Sequence, residues 1–380
     1  LARRTALMVH PSAELYGSDR IFRESVIALT ATGWRVVVAL PAEGPLADQL
    51  REQGAEVVLC PTPVLRKAAL RPAGFLRLLL DGLKALSPMV RLLRRTRPDV
   101  VYINTVTVPL WLPLARLTRR AVIAHVHEAE DSAPRPIRAA LAAPLLCATV
   151  VVANSEATAR VITRPLPLLR RRIRLVYNGV AGPDHPAQRG RERPDPVRIV
   201  LVGRLSPRKG TDLAVRAVAR LRADGHDVVL DLLGSAFTGY EWYERQLDDL
   251  IRRHGLTEVV GVRGFRTDVW DAFRNADIAL VPSRFEPFGN TSVEAQLAGT
   301  PVIVTDVQGL PETVAGGRYG RIVPADDPDA LAEAIRDCLA DWPGTLDTAA
   351  HAVEHARKAF SPQRYRDDIA GLAADIIRRR

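Results

Sequence analysis

The chain has 380 residues, of which 47% are hydrophobic, 25% charged and 5% aromatic, with a formal net charge of +10. That length favours two domains, and the balance excludes a disordered or fibrous chain. No apolar run approaches the roughly 20 residues that cross a bilayer. Three scattered cysteines, Cys60, Cys147 and Cys338, give no disulfide framework or metal motif and point to a reducing compartment. In chain order, "TALMVH" reads as an opening strand, too short for the apolar core of a signal peptide. The helical stretch "SDRIFRESVIALTATG" follows, then the β-branched runs "RVVVAL", "DVVYIN", "AVIAHVH" and "TVVVAN". Continuous apolar runs between helical segments are the mark of parallel strands covered on both faces. Gly179 to Pro196, rich in Pro, Gly and charge and without periodicity, reads as a linker. The pattern then restarts with "VRIVLVG", "DVVLDLL", "VVGVRG", "DIALVP" and "PVIVT". The expected division is a first domain over residues 1–178, a linker over 179–196, a second domain over 197–360 and a closing helix over 361–380. That helix is expected to complete either domain, the first being favoured. The expected class is α/β, two doubly wound domains facing across a cleft, with ligands at the carboxyl ends of the strands.

Two turns at such strand ends carry chemistry. After "VRIVLVG" comes "RLSPRKGTDL", in which Arg204 and Lys209 bracket a turn and Thr211 or Asp212 is expected to cap the next helix. Cations beside a helix N-terminus suit a multiply charged anion, because exposed N–H groups and the helix dipole add to their charge. After "DIALVP" comes "SRFEPFGNTSVEA". Pro287 and Gly289 break any continuous helix there, so Glu286 is expected on a loop. Asn290, Thr291 or Ser292 is expected to cap a new helix with Glu294 in its first turn. Two carboxylates flanking an anion site suit neutral hydroxyls, a sugar on one side and a ribose on the other. Neither GxGxxG nor GxxxxGK[ST] opens either domain, which weakens dinucleotide and P-loop readings.

The pairing of "GRLSPRKG" with "EPFGNTSVEA" closely resembles the retaining family 4 glycosyltransferases of the GT-B fold, built from two Rossmann-like domains. "VANSEATA", "YNGV", "VRGFRTDV" and "VQGLPETVAGGRYGRIVPADDPDALAEAI" extend the likeness over nearly the whole chain. The resemblance implies that Arg204 and Lys209 hold the diphosphate of a UDP- or GDP-sugar. It places Glu294 on the ribose, Glu286 on the donor sugar, and Phe288, Gly289, Asn290 and Thr291 in the loop over sugar and phosphate. Arg263 falls where the family contacts the base, largely through backbone groups. His127, at a strand end, matches a histidine beside the reacting sugar; His125 lies two residues earlier on the same face. Where the family commonly reads Gly-Gly-x-Glu-Arg, this chain has "YGSDR". Gly17 keeps the close approach to the donor and Arg20 is retained, but Tyr16 replaces the first glycine on the acceptor side.

The implied reaction is glycosyl transfer with retention of anomeric configuration, Glu286 acting on the sugar electrostatically. Arg204, Lys209 and a helix N-terminus would stabilise the leaving diphosphate, so neither cofactor nor metal is expected. Asp327 and Asp329 have Asp-x-Asp spacing, but Pro328 between them marks a helix cap rather than a metal site. The alternatives are a nucleotide-sugar epimerase, which product analysis separates, and nucleic-acid binding, which 5% aromatic content and the lack of a known motif disfavour. Residues 1–190 hold 27 Lys/Arg against 14 Asp/Glu, the remainder 26 against 29. Much of the excess lies between Arg66 and Arg97, with nine Lys/Arg and one acid, Asp81. Within that stretch Phe75, Leu79, Leu83, Leu86, Val90 and Leu93 share a helical face, and Pro88 is expected to kink or split the helix. Two readings stand. One is a core-facing helix with a solvated basic back; the other is a face that docks on anionic lipid and serves a lipid-linked or envelope-glycan acceptor. The protein is expected in the cytoplasm and, on the second reading, peripheral to the inner face of the cell membrane.

Overall fold

A computed structural model describes residues 3–15, 17–65, 72–128, 131, 133–190, 192–237 and 239–378, without the side chains of Pro72 and Phe75. Tyr16 and the 66–71 part of the basic stretch therefore lie outside the described residues. The chain divides into two units, Leu1–Gly179 with Pro362–Arg380, and Val180–Ser361.

In the first unit the strands are β1 (Thr5–Val9), β2 (Arg35–Leu40), β3 (Glu56–Leu59), β4 (Val100–Asn104), β5 (Ala121–Val126), β6 (Val150–Ala153) and β7 (Ile173–Leu175). The intervening helices are α1 (Gly17–Ala31), α2 (Pro45–Glu52), α3 (Pro72–Thr96), α4 (Trp111–Leu117), α5 (Arg135–Ala142) and α6 (Glu156–Thr163). All seven strands are parallel in the order β3-β2-β1-β4-β5-β6-β7. Alternate residues feed two cores. Ala6 and Met8 of β1 pack with Phe22, Val26 and Leu29 of α1, while Leu7 and Val9 pack on the other face with Met89 and Trp111. Burial on both faces is why these strands read as unbroken apolar runs.

The second unit contains β8 (Val197–Val202), β9 (Val228–Leu233), β10 (Val260–Val262), β11 (Ile278–Val281), β12 (Val302–Thr305) and β13 (Arg321–Val323). Its helices are α7 (Thr211–Ala223), α8 (Glu241–Arg253), α9 (Trp270–Asn275), α10 (Asn290–Leu297), α11 (Leu310–Thr313), α12 (Pro328–Ala340) and α13 (Trp342–Ala359). The parallel order is β10-β9-β8-β11-β12-β13. In each sheet the order reverses beside the first strand, between β1 and β4 and between β8 and β11. Loops leaving the two central strands diverge there, and open α/β sheets bind ligands at that point.

The last helix, α14 (Pro362–Arg378), buries Tyr365, Ile369, Ala373 and Ile376 in the core that α1 and β1 share. Tyr365 Oη lies 2.5 Å from Ser25 Oγ, so the chain end is tied to α1 by a buried hydrogen bond.

From Val180 on, the stretch expected as a linker belongs to the second unit. Arg189 donates to the carbonyls of Phe273, Ala276 and Gly299 and to Thr300 Oγ1. Those carbonyls stand at the ends of α9 and α10, where helices leave acceptors unfilled. One arginine serves both helices, and nothing in the periodicity of the segment announces it.

The basic helix α3 also differs from expectation. It runs through Pro88 without a break, and its core side is Gly82, Ala85, Met89, Leu92, Leu93 and Thr96. Gly82 makes a close seat there: a Cβ would stand 3.1 Å from Leu110 Cδ1. Small residues thus turn the N-terminal half so that Leu79 and Leu83, expected with Leu93 on one face, are 49% and 66% exposed.

Candidate functional site

At the carboxyl edge of the second sheet, β8 runs into Arg204 and a 3-10 turn, Pro207–Lys209. Gly210 then opens α7 at φ 66°, and a Cβ there would stand 1.9 Å from Pro282 O. Only glycine allows this turn to touch the loop that follows β11. Both expected side-chain caps are corrected by this geometry. α7 has Gly210 and α10 has Gly289 at the N-cap, each left-handed and without a capping side chain. Glu294 is consequently the fifth residue of α10, in its second turn, and half-buried.

The two loops are joined by charge. Lys209 Nζ lies 2.6 Å from Glu286 Oε2, with side chains only 22% and 13% exposed. Burial raises the Glu286 carboxyl pKa, and Lys209, aided by Arg208 and Ser283, outweighs it, so the group stays below its ordinary value. Glu286 N–H donates to Gln308 Oε1 at 3.0 Å, and Gly309 N–H donates to Glu286 O at 3.1 Å. The loop after β12 therefore buttresses Glu286 from behind. A Cβ on Gly309 would meet Pro287 O at 2.3 Å, which makes that approach specific to glycine.

Sequence reasoning missed Arg284. Its guanidinium makes a paired contact with Asp212 at 2.7 and 2.8 Å, donates to Pro207 O at 2.7 Å, and also reaches Asp326. Asp212 is not a cap; it receives Arg284 and the Tyr243 hydroxyl. Burial raises the Asp212 pKa, but Arg284 and Tyr243 more than offset that and leave it lowered. Arg208 Nε donates to Phe285 O at 3.0 Å, and Arg284 N–H donates to Arg208 O at 2.8 Å. The Arg204–Lys209 turn is thereby clamped to the Glu286 loop. The available signal was an acid opening α7 and a cation two residues before Glu286.

The remaining expected donor residues are placed as follows. The Arg204 guanidinium stacks on Phe237, 3.9 Å from the ring centroid. Phe288 is 2% exposed and packs edge-on against Phe360, so its ring belongs to the core and only its backbone remains for the loop. Asn290 and Thr291 form the half-buried first turn of α10. Arg263 N–H bonds to Leu232 O, while its exposed side chain pairs with Asp231 at 2.6 Å. Asp327 caps α12 by accepting from Ala330 N–H, and Asp329 pairs with Arg220. Among the described residues no group of three or more His, Cys, Asp or Glu is placed to hold a metal ion.

At the carboxyl edge of the first sheet, Gly17 opens α1 and is exposed. His127 directly follows β5, half-buried, with Nε2 2.9 Å from Asn104 Oδ1. Burial pushes its pKa down to about 3, with His10 acting in the same direction and Asp19 against it. It is therefore neutral at physiological pH. His125 is fully buried; its Nδ1 meets Tyr102 Oη at 2.5 Å, and Tyr102 Oη lies 3.0 Å from Ser25 Oγ. That histidine serves the packing of α1, β4, β5 and α14. Thr105, a β-branched residue at φ 84°, is held there by the Glu128 carboxylate, which also receives His127 N–H at 3.1 Å.

Residues 17–182 match the model of Glycosyltransferase Family 4, and residues 186–359 that of Glycosyl transferases group 1. The structure of Anabaena Alr3699/HepE in complex with UDP-glucose has a TM-score of 0.80 at 22% identity, covering 98% of this chain and 99% of that one. The paired parallel sheets are thus the GT-B fold. A D-inositol 3-phosphate glycosyltransferase from Kribbella flavida is 31% identical over 340 residues, 85% of this chain and 76% of that protein. Its counterpart from Stackebrandtia nassauensis is 30% identical over 275 residues; the match spans 62% of that relative's length. The chain belongs to the family 4 glycosyltransferases.

Proposed function

We propose that the protein transfers a glycosyl group from a nucleoside-diphosphate sugar to an acceptor, with retention of anomeric configuration and without a metal. The observation that carries this reading is the Lys209–Glu286 pair beside Arg204 at the switch point of the second sheet. Membership of the family supports it, as does the likeness to a structure that holds UDP-glucose. In the reading, Lys209 keeps Glu286 while its other two N–H donors turn to the leaving diphosphate. Charge building on that diphosphate meets cations fixed before the reaction begins, which is the economical way to lower such a barrier. Glu286 takes donor-sugar hydroxyls and Glu294 the ribose, from a UDP or GDP donor. Calorimetry separates the two carboxylates. Glu294→Gln should weaken free UDP or GDP binding by about tenfold, one charge-assisted hydrogen bond. Glu286→Gln should leave that affinity nearly intact and impair transfer. Equal losses in both variants would end the division of roles.

The acceptor reading rests on α3. Leu76, Leu79, Leu80 and Leu83 are 58%, 49%, 49% and 66% exposed, with Arg77, Lys84, Arg91, Arg94, Arg95 and Arg97 exposed on the same helix or at its end. Among the described residues no helix is long and apolar enough to cross a membrane. Leucines flanked by cations suit insertion to headgroup depth in an anionic leaflet, where each basic residue contributes about 1 kcal/mol. The acceptor is then lipid-linked. The protein should sediment with anionic vesicles at low salt and release at high salt. It should bind less when Arg91, Arg94, Arg95 and Arg97 become glutamine. Indifference of the unaltered protein to anionic vesicles would point to a soluble acceptor.

A further inference from the structure

Asp19, His10, Asn104 and His127 form an unbroken line across the switch point of the first sheet. His10 follows β1 and is 1% exposed, Asp19 lies in the first turn of α1 and is 2% exposed, and Asn104 ends β4 and is fully buried. Asp19 Oδ1 is 2.7 Å from His10 Nε2, His10 Nδ1 is 2.9 Å from Asn104 Nδ2, and Asn104 Oδ1 is 2.9 Å from His127 Nε2. The His10 ring is further fixed by stacking on Phe22, with centroids 4.5 Å apart.

We propose that Asp19, acting through His10 and Asn104, sets which ring nitrogen of His127 carries the proton. The direction follows from donor and acceptor chemistry. A carboxylate only accepts and an amide N–H₂ only donates, so with Asp19 on Nε2 and Asn104 Nδ2 on Nδ1 the His10 ring carries its proton on Nε2 and a lone pair on Nδ1. That lone pair requires the amide N–H₂ of Asn104, whose oxygen then faces His127. His127 must therefore carry its proton on Nε2 and hold Nδ1 as an acceptor. Glu128 completes the setting by fixing the His127 backbone N–H at 3.1 Å. The Asp19–His10 and His10–Asn104 links are buried and the Asn104–His127 link is half-buried, so reversing a donor along the line would strand polar groups away from water. The three partners are positioning residues: they present His127 to a sugar hydroxyl as an acceptor, a consequence that rests on the transfer reading above.

The test measures the tautomer in the free protein and so stands apart from that reading. With ¹⁵N-labelled histidine at neutral pH, two-bond spectra should show His127 protonated on Nε2. Asp19→Asn is nearly isosteric but offers either an oxygen or an amino group to His10, so it loosens the direction of the whole line. In that variant the two His127 nitrogen shifts should draw together, at an almost unchanged melting temperature. Asn104→Leu cuts the line without touching Asp19 and should have the same effect. In turnover, Asp19→Asn should lower kcat on the order of 10- to 100-fold, typical for partners that orient a working imidazole, with the donor KM little changed. A wild-type spectrum with the proton on Nδ1 overturns the proposal. So does an Asp19→Asn spectrum that keeps the wild-type tautomer.

Discussion

Replacing Lys209 or Arg204 with alanine should lower turnover by about 10²–10³-fold, the usual loss when one preorganised charge is removed from a developing anion. The Lys209 variant carries a second signature, because it also strips Glu286 of its partner at 2.6 Å. The ionised carboxylate adds stability that is fully present above the ordinary glutamate pKa and disappears as pH falls through its lowered folded value. Without Lys209, burial loses its main opponent, the carboxyl pKa rises above its ordinary value, and the ionised carboxylate then costs stability near neutrality that returns as pH falls. Adding Glu286→Gln to Lys209→Met should restore stability near neutrality without restoring transfer. Either single alanine variant, folded and turning over at the wild-type rate, would refute the diphosphate assignment. Activity of the unaltered protein should also survive EDTA.

Gly210→Ala should be among the most damaging small substitutions in the second unit, by about 3 kcal/mol or more, a fall of roughly 6–12 °C in Tm. Two effects combine. The residue sits at φ 66°, and the added Cβ would lie 1.9 Å from the backbone oxygen of Pro282. Gly255 supplies the control, with φ 67° and nothing within 4 Å of an added Cβ. Gly255→Ala should therefore lose only the left-handed backbone term, about 1–2 kcal/mol. Thermal melts of both variants decide the matter, and equal losses would show that the approach to Pro282 relaxes freely.

The strands were legible because burial on both faces leaves no polar residue to break the apolar run, as in β1 and β11. The two site loops were legible as well, since Pro and Gly at the end of an apolar run have few other uses. Their connection was not. Lys209 and Glu286 lie 77 residues apart, as do Arg208 and Phe285, and no local pattern records which turns a parallel sheet brings side by side. The helix starts were misjudged for a related reason. Gly210 lies tight against the Pro282 backbone and Gly289 against the Leu310 side chain, both with left-handed φ, and that demand overrides the side-chain capping preferred by Thr211 and Asn290. On α3 the repeat of leucines defined an apolar stripe, whereas the helix seats itself through Gly82 and Ala85, whose small size carries no hydrophobic weight in such a count.

The return of α14 to the first unit bears on how the chain is made. Residues 1–179 emerge from the ribosome before the second unit, and they carry a sheet whose α1 side still lacks Tyr365, Ile369, Ala373 and Ile376. Until Pro362–Arg378 has been synthesised, Ser25 and Tyr102 have no Tyr365 beside them, and the apolar seat for α14 stays open to water or to chaperones. The second unit, contiguous over Val180–Ser361, faces no such delay. Completion of the earlier-made unit thus waits on a helix made after the second unit, a reversal of the order in which domains on a nascent chain usually finish folding.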